Sequence, residues 1–261
     1  MNTPQHTIAQ ALLQARRIVV FTGAGMSAES GIGTFRDGGN SHWSRFDPRE
    51  MASPNGWRAD PNRVWAWYES RRAEVLAAQP NPGHQAIAQL AEVLSQRTGR
   101  SVQVDVITQN VDNLHERGGS ASVTHLHGSL FAPRCTACAR PGAFAPEAPD
   151  PHATDVEPPR CTHCGGRIRP GVVWFGEPMP QSEFRLAEDL VDVCDAMLVV
   201  GTSGVVYPAA ELPINAHRLG KFVAEINPVR SEIAGYATQE WSTSAAQGLQ
   251  QLLELLRTWG N

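Results

Sequence analysis

Four short apolar runs constrain this chain more than any other feature: RIVVFTG (17–23), VDVITQN (104–110), AMLVVGTS (196–203) and GKFVAEIN (220–227). Each reads as a strand buried on both faces, because a strand with one wet face would alternate apolar and polar residues. Each ends in small or polar residues, as strands do when a ligand lies at their carboxyl ends. Helical apolar spacing fills the intervals, over 5–16, 83–97, 182–195 and 245–258. This alternation predicts a parallel α/β sheet. No internal repeat is visible.

Two stretches break the alternation. Residues 36–80 are rich in Trp, Arg and Pro and contain one helical pattern. Residues 131–171 are rich in Pro, Gly and Cys, with PGAFAPEAPDPHATDVEPP in their middle. The second stretch is too poor in apolar residues to form its own core, so something else must hold it together. Both are expected to be insertions that build a second, smaller domain.

The cysteines supply a means of holding it. Cys135-x-x-Cys138 and Cys161-x-x-Cys164 form two hooks separated by 22 residues (161 − 138 − 1). Two hooks bring four thiolates to a tetrahedral zinc and leave no open position, so such a zinc would be structural. Two disulfides or buried free thiols are the alternative, less suited to paired hooks around a coreless segment. His163 lies inside a hook and could compete as a ligand. Cys194, four residues after Leu190 on an apolar helical face, reads as a core cysteine.

Net charge is −4 with no basic stretch, which gives nucleic-acid binding little support. No apolar run approaches the length of a membrane span, so no membrane association is expected. The opening MNTPQHTIAQALLQARR lacks the apolar core of a signal peptide. Five cysteines, four of them in close pairs, are not a secreted disulfide framework, and a reducing, cytoplasmic setting is expected.

The first strand runs straight into Gly23-x-Gly25-x-x-Ala28. That spacing fits a loop whose missing side chains let backbone approach a pyrophosphate, or a Gly-rich tight turn. A dehydrogenase would continue into a helix, a second strand and an acidic residue about 20 residues on. Here the loop runs instead through ESGIGTFRDGG into the Trp-rich insertion, so hydride transfer is not indicated.

A further anomaly sits in VWAWYESRRAEV (64–75). At about 100° per residue, Val64, Tyr68, Arg71 and Val75 share one narrow stripe, while Arg72 and Glu74 point away from its centre. Arg71 therefore stands between valines on the inward side. Snorkelling or a buried ion pair with an internal Glu would explain it, as would an anion carried by a ligand.

Seven features then occur together and in a fixed order: GAGMSAESGIGTFR (23–36), TQNVD (108–112), HLHGS (125–129), the two cysteine pairs, RPGVVWFGE (169–177), GTSGVVYPAA (201–210) and EINP (225–228). In this the chain resembles the sirtuins, NAD-dependent protein lysine deacylases. One departure is visible: Gly33 stands where the family usually has proline.

The resemblance implies a doubly wound Rossmann-like NAD-binding domain over 1–36, 81–130 and 172–261. It also implies a small domain made of a helical insertion (37–80) and a zinc ribbon (131–171), with NAD and acyl-lysine meeting between the two. Gly23, Ala24, Gly25 and Ser27 would line the phosphates, and Phe35 and Arg36 would cover the ribose and nicotinamide. Gln109, Asn110 and Asp112 would hold the nicotinamide ribose and carboxamide. Gly201, Thr202 and Ser203 would contact phosphate and ribose, and Asn227 and Ala245 would lie near the adenosine. His127 would be the base that deprotonates the ribose hydroxyl, with Asn110 beside it in the catalytic set, while His125 would be structural. Val173 and Phe175 would meet the substrate.

Tyr68-x-x-Arg71 resembles the signature of sirtuins that remove succinyl, malonyl or glutaryl groups, where a guanidinium fork grips a carboxylate. The function implied is transfer of an acyl group from lysine to ADP-ribose, with release of nicotinamide. The expected partners are acyl-lysine proteins or peptides, with NAD as cosubstrate, one structural zinc, and a monomeric chain. A plain deacetylase, a mono-ADP-ribosyltransferase and a non-catalytic NAD sensor are the competing readings.

Overall fold

The computed structural model describes residues 3–33, 48–145 and 149–260. Six parallel strands form the main sheet: β1 (Arg17–Thr22), β2 (Gln103–Thr108), β3 (Val123–His125), β6 (Ala196–Val200), β7 (Phe222–Ile226) and β8 (Gln239–Trp241). Their order is β3-β2-β1-β6-β7-β8, with β4 (Gly128–Cys135) and β5 (Ile168–Val172) pairing antiparallel in a separate sheet. The chain thus winds outward from β1 in both directions, and the order reverses between β1 and β6, the kind of place where open α/β sheets bind ligands outside their strand ends.

Successive residues of the central strands serve opposite faces. Ile18 and Val20 of β1, with Ala196, Leu198 and Val200 of β6, belong to one core. Val19 and Phe21, with Met197 and Val199, belong to the other. Helices α1 (Pro4–Gln14), α6 (Pro82–Thr98) and α10 (Ala245–Thr258) cover the first face, and α8 (Gln181–Val193) and α9 (Glu211–Arg218) the second. Double coverage explains why these strands carry no polar alternation.

The predicted strands and helices agree with those found to within one to three residues at each end. Edge strands β3 and β8, three residues each, were not predicted because so short a run carries no period. Nor was α9, whose Pro213 sits in its first turn, where a missing N–H is tolerated.

The remaining elements form a smaller layer. After the short helix α2 (Gly25–Ala28) come α3 (Pro48–Met51), α4 (Pro54–Ala59) and α5 (Pro61–Ala77), while α7 (Leu114–Arg117) follows β2. Helix α5 packs against both β4 and β5. The Pro-rich 131–171 stretch does borrow its core. Trp65 of α5 joins Cys135, Cys161 and Ile168 in one apolar cluster, and Phe144 packs on the Trp65 ring at 6.1 Å. None of the described helices is long and apolar enough to cross a membrane.

Candidate active site and metal centre

The strand register builds the cleft floor. Thr22 lies opposite Thr108 on one side and Val200 on the other, and Val200 lies opposite Ile226. The next residue of each chain segment, Gly23, Gln109, Gly201 and Asn227, therefore emerges at one edge. Hydrogen bonds lace these ends together. Gln109 N–H donates to the Thr22 carbonyl at 3.0 Å, and Gly25 N–H to the Gly201 carbonyl at 2.8 Å. Gln109 Nε2 donates to Thr202 Oγ1 at 2.9 Å, and Asn227 Nδ2 to the Thr202 carbonyl at 2.7 Å.

The two loop glycines are required first by the protein itself. A Cβ on Gly23 would lie 2.8 Å from Thr202 Cβ, and one on Gly25 would lie 2.8 Å from the Gly201 oxygen. Gly201 in turn holds φ +60° with its Cα against the Gly25–Met26 peptide. Close approach of two backbones, rather than of backbone and pyrophosphate alone, selects glycine at these positions.

Polar side chains cluster under the loop. Asn110 Nδ2 donates to Ser27 Oγ at 3.1 Å, and Ser27 Oγ donates to Asp112 Oδ2 at 2.9 Å. Asp112 also accepts the Leu114 N–H at 3.0 Å. All three side chains are buried, and burial raises the Asp112 pKa against the pull of those two bonds.

His127 is half-buried just past β3. Its Nδ1 lies 3.0 Å from the Gln109 carbonyl, which can only accept, so Nδ1 carries the proton and Nε2 keeps a lone pair. Burial lowers its pKa, with that bond opposing. His125, two residues earlier, is built differently. Its Nδ1 donates to the Asn110 carbonyl at 3.0 Å and its Nε2 to Glu116 Oε1 at 2.7 Å. Burial pulls its pKa down, but the bonds to Glu116 and Asn110 outweigh that and hold it above the usual value. The two histidines thus differ in charge preference although they lie two residues apart; the extended segment expected to carry both ends at His125, and His127 stands in the turn between β3 and β4.

Val173 N–H donates to the His127 carbonyl at 2.8 Å, and Phe175 N–H to the Ala52 carbonyl at 2.9 Å. Phe175 is 50 % exposed beside this pairing. Trp174 between them is buried, and its Nε1 donates to the Tyr68 hydroxyl oxygen at 3.0 Å. The Tyr68 O–H proton therefore stays available as a donor. Val64, Tyr68, Arg71 and Val75 are all buried, as the stripe predicts. Arg71 lies over the Trp67 ring at 5.7 Å, with Glu74 Oε2 at 3.7 Å from Nη1, beyond hydrogen-bond reach. Burial lowers its pKa to about 10, and Glu74, Tyr68 and Asp112 oppose that shift.

Arg72 points off the Val64–Val75 stripe, as the helical period predicts, and into a second buried face. It pairs with Glu69 at 3.1 and 2.6 Å and stacks on Phe144 at 3.9 Å. Ala245 is 2 % exposed at the start of α10 and packs into the first core. Phe35 and Arg36 lie outside the described residues. Threonines 22 and 108, His115 and Trp174 were not singled out from sequence. Their signal is positional, since the threonines close adjacent strands at one register.

The four cysteine sulfurs lie within 4.8 Å of one another. Cys135 Sγ is 3.5 Å from Cys164 Sγ, and Cys138 Sγ is 3.8 Å from Cys161 Sγ. These are not disulfide distances. Four sulfurs about 2.3 Å from a tetrahedral zinc stand about 3.8 Å apart, so the donor set fits a structural zinc site. Each hook is closed by backbone bonds, Cys135 N–H to Arg140 and Cys161 N–H to Gly166, both 2.8 Å. His163 is exposed and bonded to Arg140 at 3.1 Å, outside the cluster.

Comparison with known proteins agrees with this geometry. Residues 23–208 match the model of the Sir2 family. The chain is 51 % identical over 241 residues to an NAD-dependent protein deacylase of Mycobacterium tuberculosis, covering 92 % of this chain and 98 % of that protein. It is 46 % identical over 255 residues to NAD-dependent protein deacylase 2 of Corynebacterium efficiens, covering 97 % and 98 %. Among solved structures, a Sir2 homolog–NAD complex superposes with TM-score 0.85 at 40 % identity, over 96 % of this chain and 93 % of that one. Sir2Tm bound to a propionylated peptide superposes with TM-score 0.78 at 28 % identity, over 97 % and 98 %. With sheet order, strand-end site and cysteine cluster in agreement, the chain belongs to the Sir2 family.

Proposed function

We propose that this chain is an NAD-dependent protein lysine deacylase that prefers acyl groups ending in a carboxylate. NAD supplies the ribose that receives the acyl group, with loss of nicotinamide. Its binding rests on the strand-end loops: Gly23, Ala24, Gly25 and Ser27, then Gln109, Asn110 and Asp112, then Gly201, Thr202, Ser203 and Asn227. Phe35 and Arg36 are assigned to the cover of this site on family resemblance alone, as is Ala245 to the adenosine end.

His127 acts as the general base. The bond from Nδ1 to the Gln109 carbonyl leaves Nε2 free to take a proton, and burial keeps the ring neutral near neutral pH. Zinc in the Cys135–Cys138–Cys161–Cys164 cluster would be structural, holding the ribbon against α5.

The observation that carries the acyl preference is one buried stripe on α5. Tyr68 keeps a donor proton because Trp174 Nε1 donates to its oxygen, and Arg71 stands one turn away, buried, with Glu74 Oε2 at 3.7 Å. A hydroxyl and a guanidinium on one face suit a substrate carboxylate. Val173 and Phe175 stand on either side of Trp174 and would meet the lysine-bearing strand. The test is a panel of acetyl-, propionyl-, succinyl-, malonyl- and glutaryl-lysine peptides with and without NAD. NAD-dependent release of free lysine, with kcat/KM at least tenfold higher for the acidic acyl peptides, is expected. Equal rates across the panel would leave a general deacylase.

A further inference from the structure

Beneath the cleft floor lie two histidines that this chemistry does not use. His84 and His115 are 0 % and 1 % exposed, and their rings meet at 4.9 Å and 67°. Their hydrogen bonds assign each tautomer. Asn81 N–H donates to His84 Nδ1 at 3.3 Å, so the His84 proton sits on Nε2. Thr22 Oγ1 donates to Thr108 Oγ1 at 2.8 Å and lies 2.9 Å from His115 Nε2. With its own proton used, Thr22 accepts from His115, and the His115 lone pair falls on Nδ1. The two atoms left over are His84 Nε2–H, a donor, and His115 Nδ1, an acceptor, both buried and without a partner among the described residues. Their characters are complementary, and the rings carrying them are in contact. Burial lowers both pKa values, that of His84 to about 4, which matches two neutral rings.

The bonds on either side of this pair lead back to the site. Asn81 Nδ2 donates to the Met26 carbonyl at 2.8 Å, just behind the glycine loop. Thr108 Oγ1 also accepts the Asn110 N–H at 3.0 Å. Asn110 Nδ2 reaches Ser27 Oγ, and Ser27 follows Met26 in the chain. The path therefore runs Met26, Asn81, His84, His115, Thr22, Thr108, Asn110, Ser27, and closes on itself with one gap, between the histidines.

We propose that His84 and His115 are positioning residues: two neutral rings in edge contact, each hydrogen-bonded to one arm of this network, that together fix the Asn110 amide and the Ser27 hydroxyl at the cofactor face. The assignment rests on the reading of Asn110 and Ser27 as NAD contacts. Shifting either ring strands a buried donor or acceptor on its own arm, at Asn81 or at Thr22, so the ring contact makes the glycine loop and the end of β2 hold their spacing together.

The test compares His115→Leu, His115→Gln and His84→Asn with wild type and with Asn110→Ala. The readouts are the NAD dissociation constant by calorimetry, KM for an acyl peptide, kcat and Tm. Leucine fills the ring's space without polar atoms. Glutamine returns an amide N–H near the Nε2 position. Asparagine at 84 keeps an acceptor near Nδ1 and deletes the Nε2 donor, and it serves if His115→Leu fails to fold. The expected result is NAD binding weakened about tenfold in His115→Leu and severalfold in His84→Asn, peptide KM within twofold, and recovery to within threefold of wild type in His115→Gln. If NAD binding in His115→Leu and His84→Asn stays at the wild-type value while Asn110→Ala weakens it, the positioning role is overturned. If Asn110→Ala itself leaves NAD binding unchanged, the site reading beneath it fails as well.

Discussion

Arg71 and Arg72 are neighbours in sequence, 7 % and 9 % exposed, and they serve different faces of α5. Arg72 is held bidentate by Glu69 and lies over Phe144, on a stripe with Asn62 and Trp65 that docks the cysteine ribbon. Arg71 shares the adjacent stripe with Tyr68, toward Trp174 and the strand-end site. One helix therefore joins the proposed metal module to the proposed acyl reader, and two substitutions one residue apart should have different consequences.

Arg71→Met should lower kcat/KM for succinyl-lysine peptide by about tenfold to 150-fold, the equivalent of a charged hydrogen bond of about 1.5–3 kcal/mol. Acetyl-lysine turnover should stay level or rise, since an acetyl group has no charge to pair. Tyr68→Phe should act in the same direction and less strongly. Arg72→Met should instead reduce both activities alike and lower stability by about 3–5 kcal/mol, because it leaves Glu69 buried without its partner. Matched peptide kinetics and urea unfolding measure all three. A common loss factor for both peptides in Arg71→Met would mark that arginine as structural.

His127→Ala should reduce turnover about 10²–10⁴-fold while NAD still binds. In wild type, the acid limb of the kcat profile should fall below pH 6.5, because burial lowers the His127 pKa and the base form persists to lower pH. An acid limb centred above pH 7 would point to a different base.

Purified protein should contain about one zinc per chain. Replacing Cys161 and Cys164 by Ala should remove it and shift Trp65, 2 % exposed beside those cysteines, toward solvent, read as a red-shifted emission. Full zinc content in the double variant would exclude the cluster as its site.

Stability should fall between pH 6.5 and about 4 in part through His84. Its folded pKa is depressed to about 4, so in that window the unfolded chain binds a proton that the folded chain refuses, and ΔG of unfolding rises with pH. The effect is about 3 kcal/mol at most. The raised His125 pKa works in the opposite sense, adding stability below pH 6.5 that is lost as pH climbs through the folded value. Urea titrations at pH 7.5 and pH 5 should therefore show a smaller difference in His84→Asn than in wild type. An unchanged difference would mean that His84 does not titrate in this window.

The sequence by itself determined the sheet, the motifs and the metal donors. Runs such as RIVVFTG are apolar on both parities because each strand is covered twice, and that pattern is local and readable. Two C-x-x-C hooks announce four thiolates whatever the fold around them. Even the inward stripe of α5 follows from helical period alone. Only the tertiary structure decided what those residues meet. Helical period puts Arg72 off the inward stripe; only the fold shows Phe144, 72 residues away in the chain (144 − 72), against it. Gly25 reads as a phosphate contact, and only the fold shows the Gly201 backbone packed against it as well. His84 and His115 belong to different segments and acquire their tautomers from Asn81 and Thr22, through contacts that no periodicity encodes. Local pattern reports which face is buried, because burial follows the period of the element. The partner on that face depends on which distant segment arrives, and this is fixed by sheet order and register rather than by spacing along the chain.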